Sequence, residues 1–270
     1  MSFKFDHYAV MGNPIAHSKS PIIHAAFAKQ TGQDIQYDAL LVNNFIESVA
    51  EFKKNGGKGL NITVPFKEQA WELVDIRSKR AEKAGAVNTI YFNEQGNLIG
   101  DNTDGIGLVR DLTINHKGKI AEQRVLILGA GGAVRGVLEP ILAANPAKCV
   151  IANRTVAKAE QLAQLFDNKI IASSYEGLKN QSFDLVINGT SASLQGTLPP
   201  LADGLLAERA WCYDMMYAKT ATLFMQWAQQ QGAIKVLDGL GMLVEQAAES
   251  FYLWRGVKPD TQPVIKQLQN

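Results

Sequence analysis

Three short stretches hold the residue types that could do chemistry. Thr63-Val64-Pro65-Phe66-Lys67 places an amine just after a predicted strand, and Asp101-Asn102-Thr103-Asp104-Gly105 places carboxylates in a polar loop. An amine and a carboxylate within hydrogen-bond reach are the groups a proton transfer needs. Gly129-Ala130-Gly131-Gly132 lies between an apolar run and a helical pattern, the setting of a phosphate cradle. Together they predict nicotinamide-dependent hydride exchange with a substrate that carries hydroxyls.

The cradle is the most local of the three signals. Val125-Leu-Ile-Leu128 reads as a strand buried on both faces, and 133–144 reads as a helix. Glycines permit the tight turn between them, and the helix start aims free N–H groups at a pyrophosphate. Gly129, Ala130, Gly131, Gly132 and Ala133 are the expected contacts. The third fingerprint position is Val134 rather than Gly or Ala, which predicts looser helix–sheet packing there. At the end of the next strand an acid would select NAD. The chain has Asn153-Arg154-Thr155 and then Lys158, with no acid between Glu139 and Glu160. Cations and a hydroxyl suit a 2′-phosphate, so NADP is the expected cofactor. The plainer alternative leaves Arg154 solvated and Thr155 as a helix cap.

Lys67 follows a proline, so its backbone is stiff, and ligands of open sheets bind beyond the carboxyl ends of strands. Asp104 opens a predicted helix. The plainer alternatives are a solvated Lys67 and an Asp104 that only caps. Ser18 and Ser20 flank Lys19, and Ser20 before Pro21 reads as a helix cap. Asn61 and Thr63 share one face of a predicted strand at 59–64, and Asn88 and Thr89 follow Gly85-Ala-Val87. Such hydroxyl and amide groups suit a small polyol with a carboxylate. His7, His17, His24 and His116 are scattered and have no metal-ligand spacing, so no metal is expected.

The elements that must position these groups alternate. Strands at 8–11, 38–42 and 59–64 interleave with helices at 20–31 and 45–54; short helices at 67–74 and 78–84 and a strand pair at 89–92 and 98–100 follow. A second series alternates strands at 125–128, 149–152, 170–172, 185–188, 211–214 and 236–237 with helices at 133–144, 156–166 and 222–231. The fold class is therefore α/β, a substrate domain followed by a doubly wound parallel sheet for a dinucleotide. The terminal helices at 242–254 and 263–268 are expected to return to the first domain. The predicted division is 1–103 with 240–270 for substrate and catalysis, and 104–239 for the cofactor. Lys117-Gly118-Lys119 and Gly239-Leu240-Gly241 are the expected hinges.

The chain has 270 residues, 27 Lys plus Arg against 26 Asp plus Glu, and a net charge of +1. No basic block points to nucleic acid, and no apolar run is long enough to span a membrane. Cys149 and Cys212 each sit in an apolar run and read as buried thiols, and residues 1–6 show no signal-peptide pattern. A cytoplasmic location is expected.

Seven segments in one order resemble the shikimate dehydrogenase family: Gly12-Asn-Pro-Ile-Ala-His-Ser-Lys-Ser-Pro21, Asn61-Ile-Thr-Val-Pro-Phe-Lys67, Gly85-Ala-Val-Asn-Thr89, Asp101-Asn-Thr-Asp-Gly105, Gly129-Ala-Gly-Gly132, Asn153-Arg-Thr155 and Asp238-Gly-Leu-Gly-Met242. The resemblance spans essentially the whole chain. It implies NADP-dependent interconversion of 3-dehydroshikimate and shikimate in aromatic amino-acid synthesis, with Lys67 and Asp104 as the catalytic pair. It implies Ser18, Ser20 and Thr63 on the substrate carboxylate, and Asn88, Asp104 and Gln246 on ring hydroxyls. Tyr217 would lie near the substrate, and Thr190, Met215 and Gly239 near the cofactor. Gly189 stands where the family often has alanine, which predicts a looser loop at Thr190. Two alternatives stay open: a broader enzyme that also accepts quinate, and a catalytically silent NADP-sensing relative. A homodimer is a further expectation.

Overall fold

The computed structural model describes residues 5–190, 192 and 196–269. Residues 1–4, part of the start read above, lie outside that range. The chain divides into two compact units, Met1–Gly107 with Leu243–Asn270, and Leu108–Met242.

The first unit is built on β1 (Asp6–Gly12), α1 (Ser20–Thr31), β2 (Ile35–Leu41), α2 (Phe45–Lys54), β3 (Gly59–Ile62), α3 (Lys67–Leu73), β4 (Ile76–Arg77), α4 (Lys79–Ala84), β5 (Thr89–Phe92) and β6 (Leu98–Asp101). Its six-stranded sheet runs β2-β1-β3-β5-β6-β4. The β1–β2 and β1–β3 pairs are parallel, whereas β5 pairs antiparallel with β3 and β6. β4 is two residues long and carries no period that a sequence can show. α2 takes the expected span, with Phe45, Val49 and Phe52 buried; Asn44, not singled out in the sequence, caps it by accepting from the Glu47 N–H.

α1 departs from expectation at its start. Lys19 holds the cap position with helical dihedrals, and Ser20 is already the first helical residue, so its hydroxyl does not cap. Gly32 closes the helix in the left-handed region at φ 63°. The inner face of α1, Ile23 and Phe27, packs on Val244, Ala247 and Phe251 of α9 (Leu240–Arg255) and on Val264 and Ile265 of α10 (Gln262–Gln269). From Leu243 onward the terminal helices thus belong to the first unit, as expected. Trp254 of α9 lies so close to Gly59 that a Cβ there would stand 2.6 Å from the indole nitrogen. That nitrogen donates to the Ile90 carbonyl.

The second unit holds β7 (Arg124–Leu128), α6 (Gly132–Ala143), β8 (Lys148–Ala152), α7 (Val156–Leu165), β9 (Ile171–Ser173), β10 (Phe183–Asn188), β11 (Leu206–Asp214), α8 (Leu223–Gln230) and β12 (Lys235–Leu237). All its strand pairs are parallel, in the order β12-β11-β10-β7-β8-β9. Counted along this unit's own strands, that is 3-2-1-4-5-6, the doubly wound dinucleotide-binding order. Val125 and Ile127 enter one core and Leu126 and Leu128 the other, so β7 is buried on both faces as its sequence predicts.

The chain leaves the first unit inside α5 (Asp104–Arg110) and returns inside α9. A π-helical turn, Asp111–Asn115, follows α5. The expected hinges are packed rather than loose. The Gly118 N–H donates to the Leu112 carbonyl, and a Cβ at Gly118 would stand 2.7 Å from the Trp211 ring. A Cβ at Gly239 would stand 2.2 Å from the Met215 carbonyl oxygen, and one at Gly241 would stand 2.0 Å from Asp111 Oδ1. At each of these glycines the neighbouring atoms approach more closely than a side chain would allow.

Candidate active site

In the first unit, Lys67 stands where β3 hands over to α3. Phe66 stacks on Phe45 with centroids 5.2 Å apart and fixes the turn. The Lys67 carbonyl accepts the Val87 N–H, and its Nζ donates to Asp104 Oδ2 at 2.6 Å. Asp104 is not merely a cap. Its Oδ1 accepts Asn88 Nδ2 at 2.8 Å, while the capping acceptor for the Asp104 N–H is Asn102 Oδ1. Asn102 is itself held by the Ala86 carbonyl and by Asp101. Asp101 accepts two guanidinium bonds from Arg80 and one from the Ser78 hydroxyl, and Arg80 also reaches Glu249 at 3.1 Å. Carboxylate and amine are therefore brought together and braced from behind.

The remaining expected substrate residues of this unit are ordered as well. The Ser20 N–H donates to Ser18 Oγ, and Ser20 is buried. Thr63 sets its methyl group over Gly12, where a Cβ would stand 2.4 Å away, so its side chain is pinned. Gln246 accepts from Asn88 at 3.3 Å while its own Nε2 donates to the Leu243 carbonyl. Asn61 turns to the interior; it donates to Thr89 and Ser250 and accepts from the Tyr37 hydroxyl at 2.7 Å. Tyr37 was missed by sequence reasoning. Burial pushes its phenol well above the usual value, opposed by a hydrogen bond from Ser20.

In the second unit the cradle sits beside the switch point between β7 and β10. Gly129 takes φ 102°, which favours glycine, and Gly131 caps α6. A Cβ at Gly131 or Gly132 would meet nothing within 4 Å, and Ala133 is exposed, so the turn is open toward an incoming phosphate. This fits a dinucleotide at a helix N-terminus. Arg154 and Lys158 are exposed at the end of β8 and in α7. Thr155 stands at the cap of α7 but its hydroxyl makes no capping bond. Asn153 ties the turn by donating to the Thr155 carbonyl. Tyr175, not singled out in the sequence, feels the Arg154 charge, which lowers its phenol against the larger raising effect of burial.

Thr190 does not sit in a loose loop. Its N–H and hydroxyl both donate to Asn188 Oδ1, and Asn188 in turn donates to Asp214. The Met215 N–H donates to the Asn188 carbonyl, and Gly239 donates to Met216. Tyr217 is 36% exposed, with its phenol raised by burial.

The two departures at Val134 and Gly189 meet in space, while residues 191 and 193–195 of the loop lie outside the described residues. Val134 is fully buried, and a Cβ on Gly189 would stand 2.3 Å from Val134 Cγ2 and 3.2 Å from Met215 Sδ. The larger residue in the fingerprint occupies the space that an alanine at 189 would need, so the two departures compensate. Gly189→Ala is expected to cost about 1–3 kcal/mol by overpacking. Adding Val134→Ala restores most of it. Thermal unfolding of both variants tests this, and a double variant no more stable than the single one rules it out.

Among the described residues no His/Cys/Asp/Glu group could hold a metal, and no helix is long and apolar enough to cross a membrane. Both cysteines are buried and free, each thiol pushed up to about 12 by burial.

The strand order, the open glycine turn and the cations at the end of β8 define a dinucleotide-binding dehydrogenase, carrying an amine–carboxylate site on its other unit. Family models match in three places: a shikimate dehydrogenase substrate binding domain at residues 10–90, a shikimate/quinate 5-dehydrogenase model at 111–196 and a shikimate 5′-dehydrogenase C-terminal domain at 239–269. An NADP-dependent shikimate dehydrogenase of Alkalilimnicola ehrlichii is 59% identical over 98% of both chains. The crystal structure of an Ael1 enzyme from Pseudomonas putida superposes with TM-score 0.94 at 49% identity over 98% of both chains. Shikimate 5-dehydrogenase from Thermus thermophilus, solved with NADP(H) and shikimate, superposes with TM-score 0.86 at 32% identity over 97% of both. The chain belongs to the shikimate dehydrogenase family.

Proposed function

We propose that this chain catalyses the reversible NADPH-dependent reduction of 3-dehydroshikimate to shikimate. The observation that carries the reading is the 2.6 Å contact between Lys67 Nζ and Asp104 Oδ2, braced by Asn88, on a chain that also has the open glycine turn. The Thermus relative bound to NADP(H) and shikimate supports both ligands.

Bound NADPH supplies a hydride to the carbonyl carbon. Lys67 Nζ then gives a proton to the carbonyl oxygen as charge develops there, and takes it back in the oxidative direction. Asp104 accepts from both Lys67 and Asn88 and so holds the amine in place for that transfer. Ser18, Ser20 and Thr63 present hydroxyls to the substrate carboxylate, while Asn88 and Gln246 present amides to ring hydroxyls. Gly129 to Ala133 cradle the pyrophosphate, and Asn153, Arg154, Thr155 and Lys158 hold the 2′-phosphate. Thr190, Met215 and Gly239 line the nicotinamide end, and Tyr217 touches substrate.

The test crosses shikimate and quinate with NADP and NAD, following nicotinamide reduction. Turnover with shikimate and NADP is expected to dominate. Comparable turnover with quinate would favour the broader enzyme that the shikimate/quinate model also describes. Binding without turnover would favour a silent relative. In the same assay Arg154→Ala raises KM for NADP about 10- to 100-fold, the scale of one lost charge-assisted bond to phosphate. It leaves KM for NAD unchanged. An equal effect on both cofactors would remove Arg154 from the 2′-phosphate. A homodimer in the cytoplasm completes the proposal, and sedimentation of the purified chain tests the dimer.

A further inference from the structure

An amide has a donor end and an acceptor end, and what surrounds Asn88 decides which end meets Asp104. Asn88 Oδ1 accepts the Thr89 hydroxyl at 2.8 Å, the Thr103 N–H at 2.9 Å and the Thr103 hydroxyl at 3.2 Å. Its Nδ2 is thereby turned to Asp104 Oδ1 at 2.8 Å. Behind Thr89 lies Ser250 of α9, with the two hydroxyl oxygens 2.7 Å apart. Asn61 Nδ2 donates to Ser250 Oγ at 3.0 Å, and the Tyr37 hydroxyl donates to Asn61 Oδ1. Thr89, Thr103 and Ser250 are fully buried and Asn88 is 2% exposed.

One assignment of protons runs in a single direction, Tyr37 to Asn61, Asn61 to Ser250, Ser250 to Thr89, Thr89 to Asn88, Asn88 to Asp104, with the Ser250 proton turned to Thr89 rather than to its alternative acceptor, the Gln246 carbonyl at 3.1 Å. Each donor polarises the next in a low-dielectric interior. A flipped Asn88 would set Oδ1 against a carboxylate and its NH2 against the Thr103 N–H. We propose that Thr89 and Ser250 are positioning residues, whose hydroxyls lock the Asn88 amide as a donor to Asp104 and so set the geometry in which Lys67 works. Neither touches substrate. The inference rests on the proposed role of Lys67 and Asp104.

The test compares Thr89→Val, which keeps shape but removes the hydroxyl, with Thr89→Ser, which keeps the hydroxyl. With full-length protein, shikimate and NADP, Thr89→Val is expected to lower kcat about tenfold or more, as for a lost buried bond that frees its partner. Thr89→Ser stays within about threefold of wild type on the same scale, and NADP affinity does not change in either. In an Asn88→Ala background the Thr89→Val effect disappears, because its route is gone. Ser250→Ala, one bond further back, repeats the pattern and serves if the valine variant does not fold. Wild-type kcat in Thr89→Val, equal losses in both Thr89 variants, or an undiminished loss without Asn88 each overturns the proposal. Lys67→Ala runs alongside: if it retains full turnover, the reading of the acid–base pair falls and this inference falls with it. If Lys67→Ala is inactive while Thr89→Val is normal, the inference falls alone.

Discussion

Lys67→Ala lowers kcat about 10²–10⁴-fold, the usual weight of a positioned acid–base group. NADP affinity stays within about twofold, because the cradle is built on a different sheet in a different unit and shares no hydrogen bond with Lys67. Alanine removes the amine that would meet the carbonyl oxygen, yet leaves the Lys67 main chain tied to Val87. Asp104→Asn loses less, because an amide oxygen can still accept from Lys67. It no longer carries charge, however, and its NH2 opposes the Asn88 donor that now meets Oδ1 at 2.8 Å. Single-turnover hydride transfer, with cofactor binding measured by fluorescence, separates the chemical step from binding. Lys67→Ala with more than about a tenth of wild-type kcat would mean the proton comes from elsewhere.

Arg80→Ala carries the largest expected cost in stability, about 3–5 kcal/mol, because it strands buried carboxylates. Asp101 and Glu249 have only 5% and 8% of their side chains exposed, and Arg80 serves both. Arg80→Lys rescues little, since an ammonium cannot span both oxygens of Asp101 as the fork does. The damage passes forward as well: Asp101 holds the Asn102 N–H, and Asn102 holds Asp104. The variant should therefore lose kcat even at temperatures where it is folded. Urea unfolding is the measurement. A transition of the first unit unchanged in Arg80→Ala would show that the bracing is ornamental.

Much of this was legible in the residues because the signals are local. The alternation of apolar runs, the span of α2 and the glycine turn after β7 each need only a few neighbours to be read. What was missed depends on partners far apart in sequence. Ser250 meets Asn61 across 189 positions, and no window along the chain shows that a serine in α9 completes a polar core. Ser20 reads as a cap because Ser-Pro begins many helices, but Lys19 holds the cap position and Ser20 is already inside the first turn. Val134 and Gly189 each read as a defect alone, and only packing reveals that one fills the space of the other. The close approaches at Gly118, Gly239 and Gly241 are likewise invisible in sequence, since a glycine that permits flexing and one that permits contact have the same signature.

The first unit is assembled from two distant pieces of chain, and that has a consequence for biosynthesis. Its α1 face, Ile23 and Phe27, is covered by Val244, Ala247, Phe251, Val264 and Ile265, which leave the ribosome long after it. The second unit is continuous from Leu108 to Met242 and can close its own sheet while that face still waits. Throughout that interval the nascent chain exposes an apolar surface with no intramolecular partner. The synthesis of α9 and α10, rather than that of α1, is therefore the step that commits the first unit to its folded state.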